Sequence, residues 1–227
     1  SKMVLEPYLL FFNERQSYFI SSNRLNFDTL LYNKNVSITD MGKFLKLPKS
    51  SSDKRIFNTT EPKSLSLIDA VNGKLYFIKD SFQLKWTLLN ESDTIGKLKV
   101  KKATTQFRGR DYIAWYCEDL PFSFGPYKFS GLPGLIIQIH DSKNYISYSL
   151  TSFKKTEPKK IVVNCNESAT PISKKEFKAL NDKFWENPIP YMESDGAIFN
   201  EETKRIIKNR FAEIRKNSNN PIELTDE

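Results

Sequence analysis

Side chains that could do chemistry are few in this chain and widely spread. His140 is the only histidine, so a multi-histidine metal site is excluded, and a nucleophile elsewhere has one imidazole at most to serve it. Its neighbour Asp141 makes a His-Asp pair at the end of a strand-like segment, a setting that suits a turn better than a general base. Cys117 and Cys165 are the only cysteines and lack the close Cys-x-x-Cys spacing of redox and zinc motifs. They can form one disulfide in an oxidising compartment or stay as two buried thiols. Their spacing to a methionine is no soft-metal signature either. Neither a Gly-x-x-x-x-Gly-Lys nor a Gly-x-Gly-x-x-Gly loop occurs, which disfavours nucleotide chemistry. No catalytic residues assemble, no metal or cofactor is implied, and the chain reads as a non-enzyme. The best candidate for ligand binding is Arg108 with Arg110, spaced to share one strand face, and Trp115 with Tyr116 on the next stretch. Two guanidiniums beside aromatic rings can hold an anionic ligand by forked hydrogen bonds and stacking. The plainer reading is cross-strand pairing on a wet sheet face.

The elements that must position these residues are mostly strands. Tyr8–Phe12 and Gln16–Ile20 read as early strands. From Asp40 to Ser66 the chain is polar, centred on Lys49-Ser50-Ser51-Ser52-Asp53-Lys54, and predicts a long connection broken at most by short strands. Asn72-Gly73 separates Leu67–Val71 from Lys74–Ile78 and is the strongest hairpin signal, because this pair accepts positive φ at little steric cost. Leu84–Leu88, a turn near Asp93-Thr94, Val100–Phe107 and Tyr112–Cys117 continue an antiparallel meander. Alternation in Leu135–His140 places Leu135, Ile137 and Ile139 opposite Ile136, Gln138 and His140. Tyr145–Phe153 repeats that pattern, and Ile161–Cys165 makes a last strand. After Pro171 the period turns helical. Ser173-Lys174-Lys175-Glu176 fits a capping box ahead of Phe177, Leu180 and Phe184. Asn200 caps a second helix, about Glu201–Lys216, with Ile207, Phe211 and Ile214 as its stripe. The tail from Asn217 to Glu227 is polar and expected to fray. The expected fold is mainly β with α: a curved antiparallel sheet, meander-like and half-barrel-like, over residues 1–165, and a helical extension packed on it over 166–227.

Seventeen Phe, ten Tyr and three Trp against eight Gly argue for an ordered core. The net charge of +8 suggests an acidic partner, but the basic residues are scattered, mostly lysine and interleaved with acids, so specific nucleic-acid binding is disfavoured. No stretch approaches a membrane span, and Ser1-Lys2-Met3-Val4 is not a signal peptide, so the chain reads as a processed form.

One string is long and unusual: Tyr112-Ile113-Ala114-Trp115-Tyr116-Cys117, then Leu120-Pro121, then Gly125-Pro126-Tyr127-Lys128-Phe129-Ser130-Gly131-Leu132-Pro133-Gly134-Leu135-Ile136. With the upstream basic run from Lys102 to Arg110, it resembles the GLPGLI family, named for Gly131 to Ile136. The match is strong over about 86–153 and loose elsewhere. Val100 stands where family members commonly carry a cysteine, and the family's usual first strand precedes the segment matching Met3-Val4-Leu5. Physically, Gly131 and Gly134 suit positive φ or close approach, and Pro133 fixes the turn between them, so the six residues read as a structural corner. Tyr127, Lys128 and Phe129 beside that corner could dock a partner.

The resemblance implies a protein of Bacteroidota exported to the periplasm, outer membrane or cell surface. It implies an accessory binding role beside an outer-membrane TonB-dependent transporter or its cargo, such as a peptide or chelated metal. The alternative is a periplasmic carrier holding a lipophilic ligand between the sheet and the helices.

Overall fold

A computed structural model describes residues 5–32, 49, 50, 52–155, 169–194, 196–217 and 221–225. Its strands divide between two sheets. In the first, β1 (Tyr8–Phe12), β2 (Gln16–Ser21), β3 (Arg55–Thr60), β4 (Lys63–Val71) and β5 (Lys74–Asp80) run antiparallel, and β11 (Thr170–Ile172) joins β5 in parallel. The second holds β6 (Thr87–Ile95), β7 (Leu98–Phe107), β8 (Arg110–Cys117), β9 (Leu135–Asp141) and β10 (Ser147–Ser149), in the order β10-β9-β8-β7-β6. The helices are α1 (Ser22–Tyr32), α2 (Lys174–Glu186), α3 (Ile189–Ser194) and α4 (Glu201–Asn217). The protein is thus mainly β, largely antiparallel, with α1 near its N-terminal end and α2, α3 and α4 towards its C-terminal end.

Local signals explain most of these elements. Asn72 and Gly73 take φ of 49° and 76° and close the β4–β5 hairpin with Val71 opposite Lys74. The Ser173 hydroxyl accepts from the Glu176 amide at 3.2 Å, and the Glu176 carboxylate accepts from the Ser173 amide at 3.1 Å, completing the capping box. Asn200 caps α4 by accepting from the Thr203 amide at 2.8 Å.

The main core lies between the sheets. Phe19, Ile56, Leu67 and Ile78 from the first meet Ala103, Phe107, Tyr112, Ala114, Tyr116 and Ile139 from the second. Tyr127, Phe129 and Leu132, from the connection between β8 and β9, are buried in the same cluster. Helix α2 lies on the first sheet with Phe177 against Tyr76, and Phe211 of α4 packs on Phe184 and Trp185. Helix α1 is pinned to β3 by a fork: Arg55, fully buried, donates to both Asp28 oxygens at 2.7 and 2.6 Å.

Several expectations change. The polar stretch up to Ser66 contains β3 and the start of β4, while residues 40–48 and 51 lie outside the described set. Leu84–Trp86 precede β6 rather than belonging to it, and the β6–β7 turn falls at Gly96-Lys97 instead of Asp93-Thr94. Within Tyr145–Phe153 only Ser147–Ser149 pair. The expected strand Ile161–Cys165 is outside the described residues. In β9 a bulge pairs Trp115 with Gln138 but Tyr116 with Ile136, leaving Ile137 as the extra residue. That insertion lets Ile136 and Ile139 both enter the inter-sheet core, while Leu135 and Ile137 join Val100 and Cys117 on the other side. Ile214 is 39% exposed and does not complete the α4 stripe. The largest change is the tail, where residues 221–225 are docked on the second sheet instead of frayed.

Candidate functional site

Strands β7 and β8 are joined by the two-residue turn Arg108-Gly109, at φ of 46° and 81°. This is the geometry of Asn72-Gly73, but with arginine where asparagine is the easy residue. A β-carbon in the left-handed region costs roughly 1 kcal/mol, and the turn bears it to aim a guanidinium inward. Tyr127, in the connection that carries the Gly131–Ile136 motif, is also held at positive φ, 56°. These two distorted positions bring Arg108, Tyr127 and Lys128 to one end of the sandwich.

There they meet the tail. Lys128 donates to Asp80 at 2.5 Å and to Glu223 at 2.6 Å, and Arg108 donates to the same two carboxylates at 2.7 and 2.6 Å. The Tyr127 hydroxyl donates a third hydrogen bond to Glu223. Arg110 forks onto the Pro221 carbonyl at 3.2 and 2.7 Å and pairs with Asp141 at 3.1 Å. Tyr112 donates to the Ile222 carbonyl at 3.2 Å, and the Arg108 carbonyl accepts from the Leu224 and Thr225 amides at 2.9 and 3.3 Å. Ile222 packs against the inter-sheet core. The bent segment 221–225 is therefore held at two carbonyls, two amides and one carboxylate.

Arg108, Arg110, Lys128, Asp80 and Asp141 are all buried, so the cations and carboxylates must balance one another inside the protein. Glu223 supplies the third carboxylate against three cations. Burial alone would raise the Glu223 carboxyl, but Lys128, with Tyr127 and Arg108, outweighs it and holds the group down at about 2. Burial, followed by the charge of Glu223, drives the Tyr127 phenol well above its ordinary range. Burial likewise pushes Tyr112 up to about 12. At neutral pH Glu223 is therefore a carboxylate, and Tyr127 and Tyr112 are neutral phenols. One donor is left over: Arg108 Nε is buried with no hydrogen-bond partner among the described residues.

The site joins Arg108, Arg110, Tyr127 and Lys128, with Phe129 beneath them against Phe107 and Tyr112. The arginines do not share a strand face as their spacing predicts, because Arg108 sits in the turn, and both are buried, so a wet sheet face is excluded. Trp115 and Tyr116 are elsewhere. Near the far end of β8 they point to opposite faces, Tyr116 into the inter-sheet core and Trp115 outward under Lys102, whose ammonium lies 5.8 Å from the ring centroid. The motif Gly131, Leu132, Pro133, Gly134, Leu135, Ile136 is a packed corner. Gly131 takes φ of 97°, and a β-carbon on Gly134 would fall 2.1 Å from the Cys117 carbonyl oxygen. Cys117 is a buried free thiol and Cys165 lies outside the described residues. His140 faces the Asp141 backbone oxygen, while the Asp141 carboxylate serves Arg110 and the Ile146 amide, so the two make no catalytic pair.

Sequence reasoning missed Asp80, Tyr112, Asp141 and the tail. Two signals could have found them: arginine in place of asparagine before a turn glycine, and the apolar Ile222 and Leu224 flanking Glu223 in an otherwise polar tail.

Fold and site together define a two-sheet β protein that grips a short bent segment of its own chain through a buried charge cluster. Residues 106–138 match a family model described as "Protein of unknown function (Porph_ging)". No curated protein matches. Two structures of PNGF-II, in different crystal forms, are similar. One has a TM-score of 0.56 at 16% identity, over 75% of this chain and 28% of that one. The other has 0.55 at 14%, over 80% and 30%. At these identities the likeness is one of fold, and this chain spans less than a third of the PNGF-II length. Among the described residues no helix is long and apolar enough to cross a membrane, and no three metal-ligating side chains gather.

Proposed function

We propose that the chain is a non-enzymatic, exported binding protein of the GLPGLI kind. It works at the periplasmic or outer-membrane face of the envelope, and its partner is an outer-membrane TonB-dependent transporter or that transporter's cargo. The observation that carries the binding reading is the cluster of Arg108, Arg110, Tyr112, Tyr127 and Lys128, all directed onto one short peptide segment. Its side chains donate fixed hydrogen bonds to a carboxylate and to main-chain carbonyls, which is the chemistry of recognition. The match at 106–138, overlapping the motif, supports the family resemblance and with it the envelope setting.

A lipophilic carrier has less behind it. Side chains between the first sheet and α2 meet one another, as Phe177 does Tyr76. The cleft of about 380 Å³ beside Phe184 and Trp185 is open and bordered by the charged Arg24 and Asp53, which pair with each other. The test is isolation of the native protein from its envelope in mild detergent, with mass spectrometry of what co-purifies. A stoichiometric outer-membrane transporter is expected. Recovery of the protein alone with a bound lipid would replace the accessory reading with the carrier.

A further inference from the structure

We infer that the cluster around Arg108 and Lys128 is an exchangeable peptide site: residues 221–225 are its internal occupant, and a short acidic segment of a partner protein, with glutamate between aliphatic residues, is its external ligand. This rests on the binding-protein reading above and names the ligand class.

Three observations separate an exchangeable site from a permanent clasp. First, the reading residues Arg108, Arg110, Tyr112, Tyr127 and Lys128 all fall inside the 106–138 segment matched by the family model, whereas the tail lies outside it. The donors of the site therefore lie within the matched segment, while their buried counter-charges Asp80 and Asp141, like the tail, lie outside it. Second, the tail leaves Arg108 Nε buried and unpartnered. A buried donor without an acceptor costs on the order of 1–3 kcal/mol, and a ligand carrying one more acceptor there would relieve it. Third, the contacts are portable. Apart from the Ile222 packing and one carboxylate, they go to main-chain atoms of a short bent segment, the carbonyls of Pro221 and Ile222 and the amides of Leu224 and Thr225, which other side-chain sequences also carry. Gly109 sets the floor: a β-carbon there would lie 3.1 Å from Leu224 Cβ and 3.3 Å from Thr225 Cγ2, pressing on the side chains of the seated segment by a few tenths of an ångström.

Acidity is the selectivity. With the tail removed, Arg108, Arg110 and Lys128 face only Asp80 and Asp141. The vacated seat is a net positive pocket with Tyr127, Lys128 and Arg108 converging on the place of one carboxylate. A peptide with glutamine at that position would leave the excess charge unbalanced.

The test is fluorescence anisotropy of a labelled peptide, Pro-Ile-Glu-Leu-Thr with neutral ends, on the full chain. Against Glu223→Gln, whose own tail is weakened, it is expected to bind at least tenfold tighter than against wild type, because the intact tail competes. Glutamine in place of the peptide's glutamate should cost at least tenfold. Should Glu223→Gln lack a cooperative melt, Pro221→Gly, which loosens the tail and keeps all charges, takes its place. A folded, tail-weakened chain that ignores the peptide, or binds the glutamate and glutamine forms alike, would overturn the inference. So would a stable wild-type dimer with exchanged tails, since the occupant would then be a second copy. None of these outcomes touches the co-purification of a transporter, which tests the broader reading by itself.

Discussion

Arg55 and Arg108 are both buried arginines that bridge distant segments, yet they are built differently. Arg55 sits on a regular strand and forks onto Asp28 of a regular helix, taking both carboxylate oxygens. Arg108 sits in a turn at positive φ and divides its guanidinium between Asp80 and a glutamate 115 residues away. That glutamate lies on a segment without regular structure, and Arg108 Nε is left idle. The first arrangement puts two donors on the partner helix and a third on the local Asp53 carbonyl at 3.0 Å. The second keeps a strained backbone and a spare donor, which a purely structural clasp has no reason to retain.

The largest expected effect falls on the first. Arg55→Met leaves Asp28 with only the Arg24 pairing at 2.9 Å and one oxygen stranded. Breaking a buried pair this way costs about 3–5 kcal/mol, and at roughly 2–4 °C per kcal/mol for a chain of this size the melting temperature should fall by about 10 °C. Hydrogen exchange at Leu224 and Thr225 should be unchanged relative to global unfolding. A fall of less than about 3 °C would erase the contrast.

Acid should act on the second region. The Glu223 carboxyl is held at about 2 against an ordinary 4.5. A depressed carboxylate contributes fully above its ordinary value and loses that contribution as pH falls through the depressed one. The shift corresponds to about 3 kcal/mol of docking. The melting-temperature gap between wild type and Glu223→Gln should therefore be widest near neutrality and close between pH 4.5 and 2. A gap indifferent to pH would mean that the carboxylate is not what seats the tail.

What could be read beforehand follows a physical divide. Signals that act within a few residues were legible: Asn72-Gly73, the Ser173 to Glu176 box, the Asn200 cap and the close approach at Gly134. Pairings made across the chain were not. Nothing near Thr170–Ile172 announces a parallel partner in β5, and the bulge at Ile137 is set by the facing strand, so alternation assigned the faces of β9 wrongly. Arg108, Arg110, Trp115, Tyr116, Tyr127, Lys128 and Phe129 were singled out by type, and of these the structure gathers Arg108, Arg110, Tyr127, Lys128 and Phe129 while Trp115 and Tyr116 lie elsewhere. The role of the gathered residues was not legible, because it depends on Asp80 and Glu223, which in sequence look like ordinary solvated acids.

A smaller effect isolates main-chain reading. Tyr112→Phe removes only the hydroxyl that donates to Ile222, while the ring keeps its place against Phe129. A single net hydrogen bond is worth about 1 kcal/mol, so exchange of the tail amides should quicken about fivefold with the sheet unchanged. Equal protection in both proteins would show that this contact does not help hold the segment.

Arg108→Asn is the sharpest comparison, and its expected global effect is the smallest. It turns Arg108-Gly109 into the sequence of the other hairpin, which should recover roughly 1 kcal/mol of left-handed strain. It also removes a buried donor with no acceptor. No carboxylate is orphaned, because Asp80 keeps Lys128 and Glu223 keeps both Lys128 and Tyr127. Gains and losses should then nearly cancel, leaving stability within about 1 kcal/mol of wild type and the β7–β8 pairing protected as before. The local result should differ: without the guanidinium on Glu223, the Leu224 and Thr225 amides should exchange at least tenfold faster. If Arg108→Asn instead destabilises the whole protein as much as Arg55→Met, Arg108 is a pin of the same kind, and the distorted turn serves the fold alone.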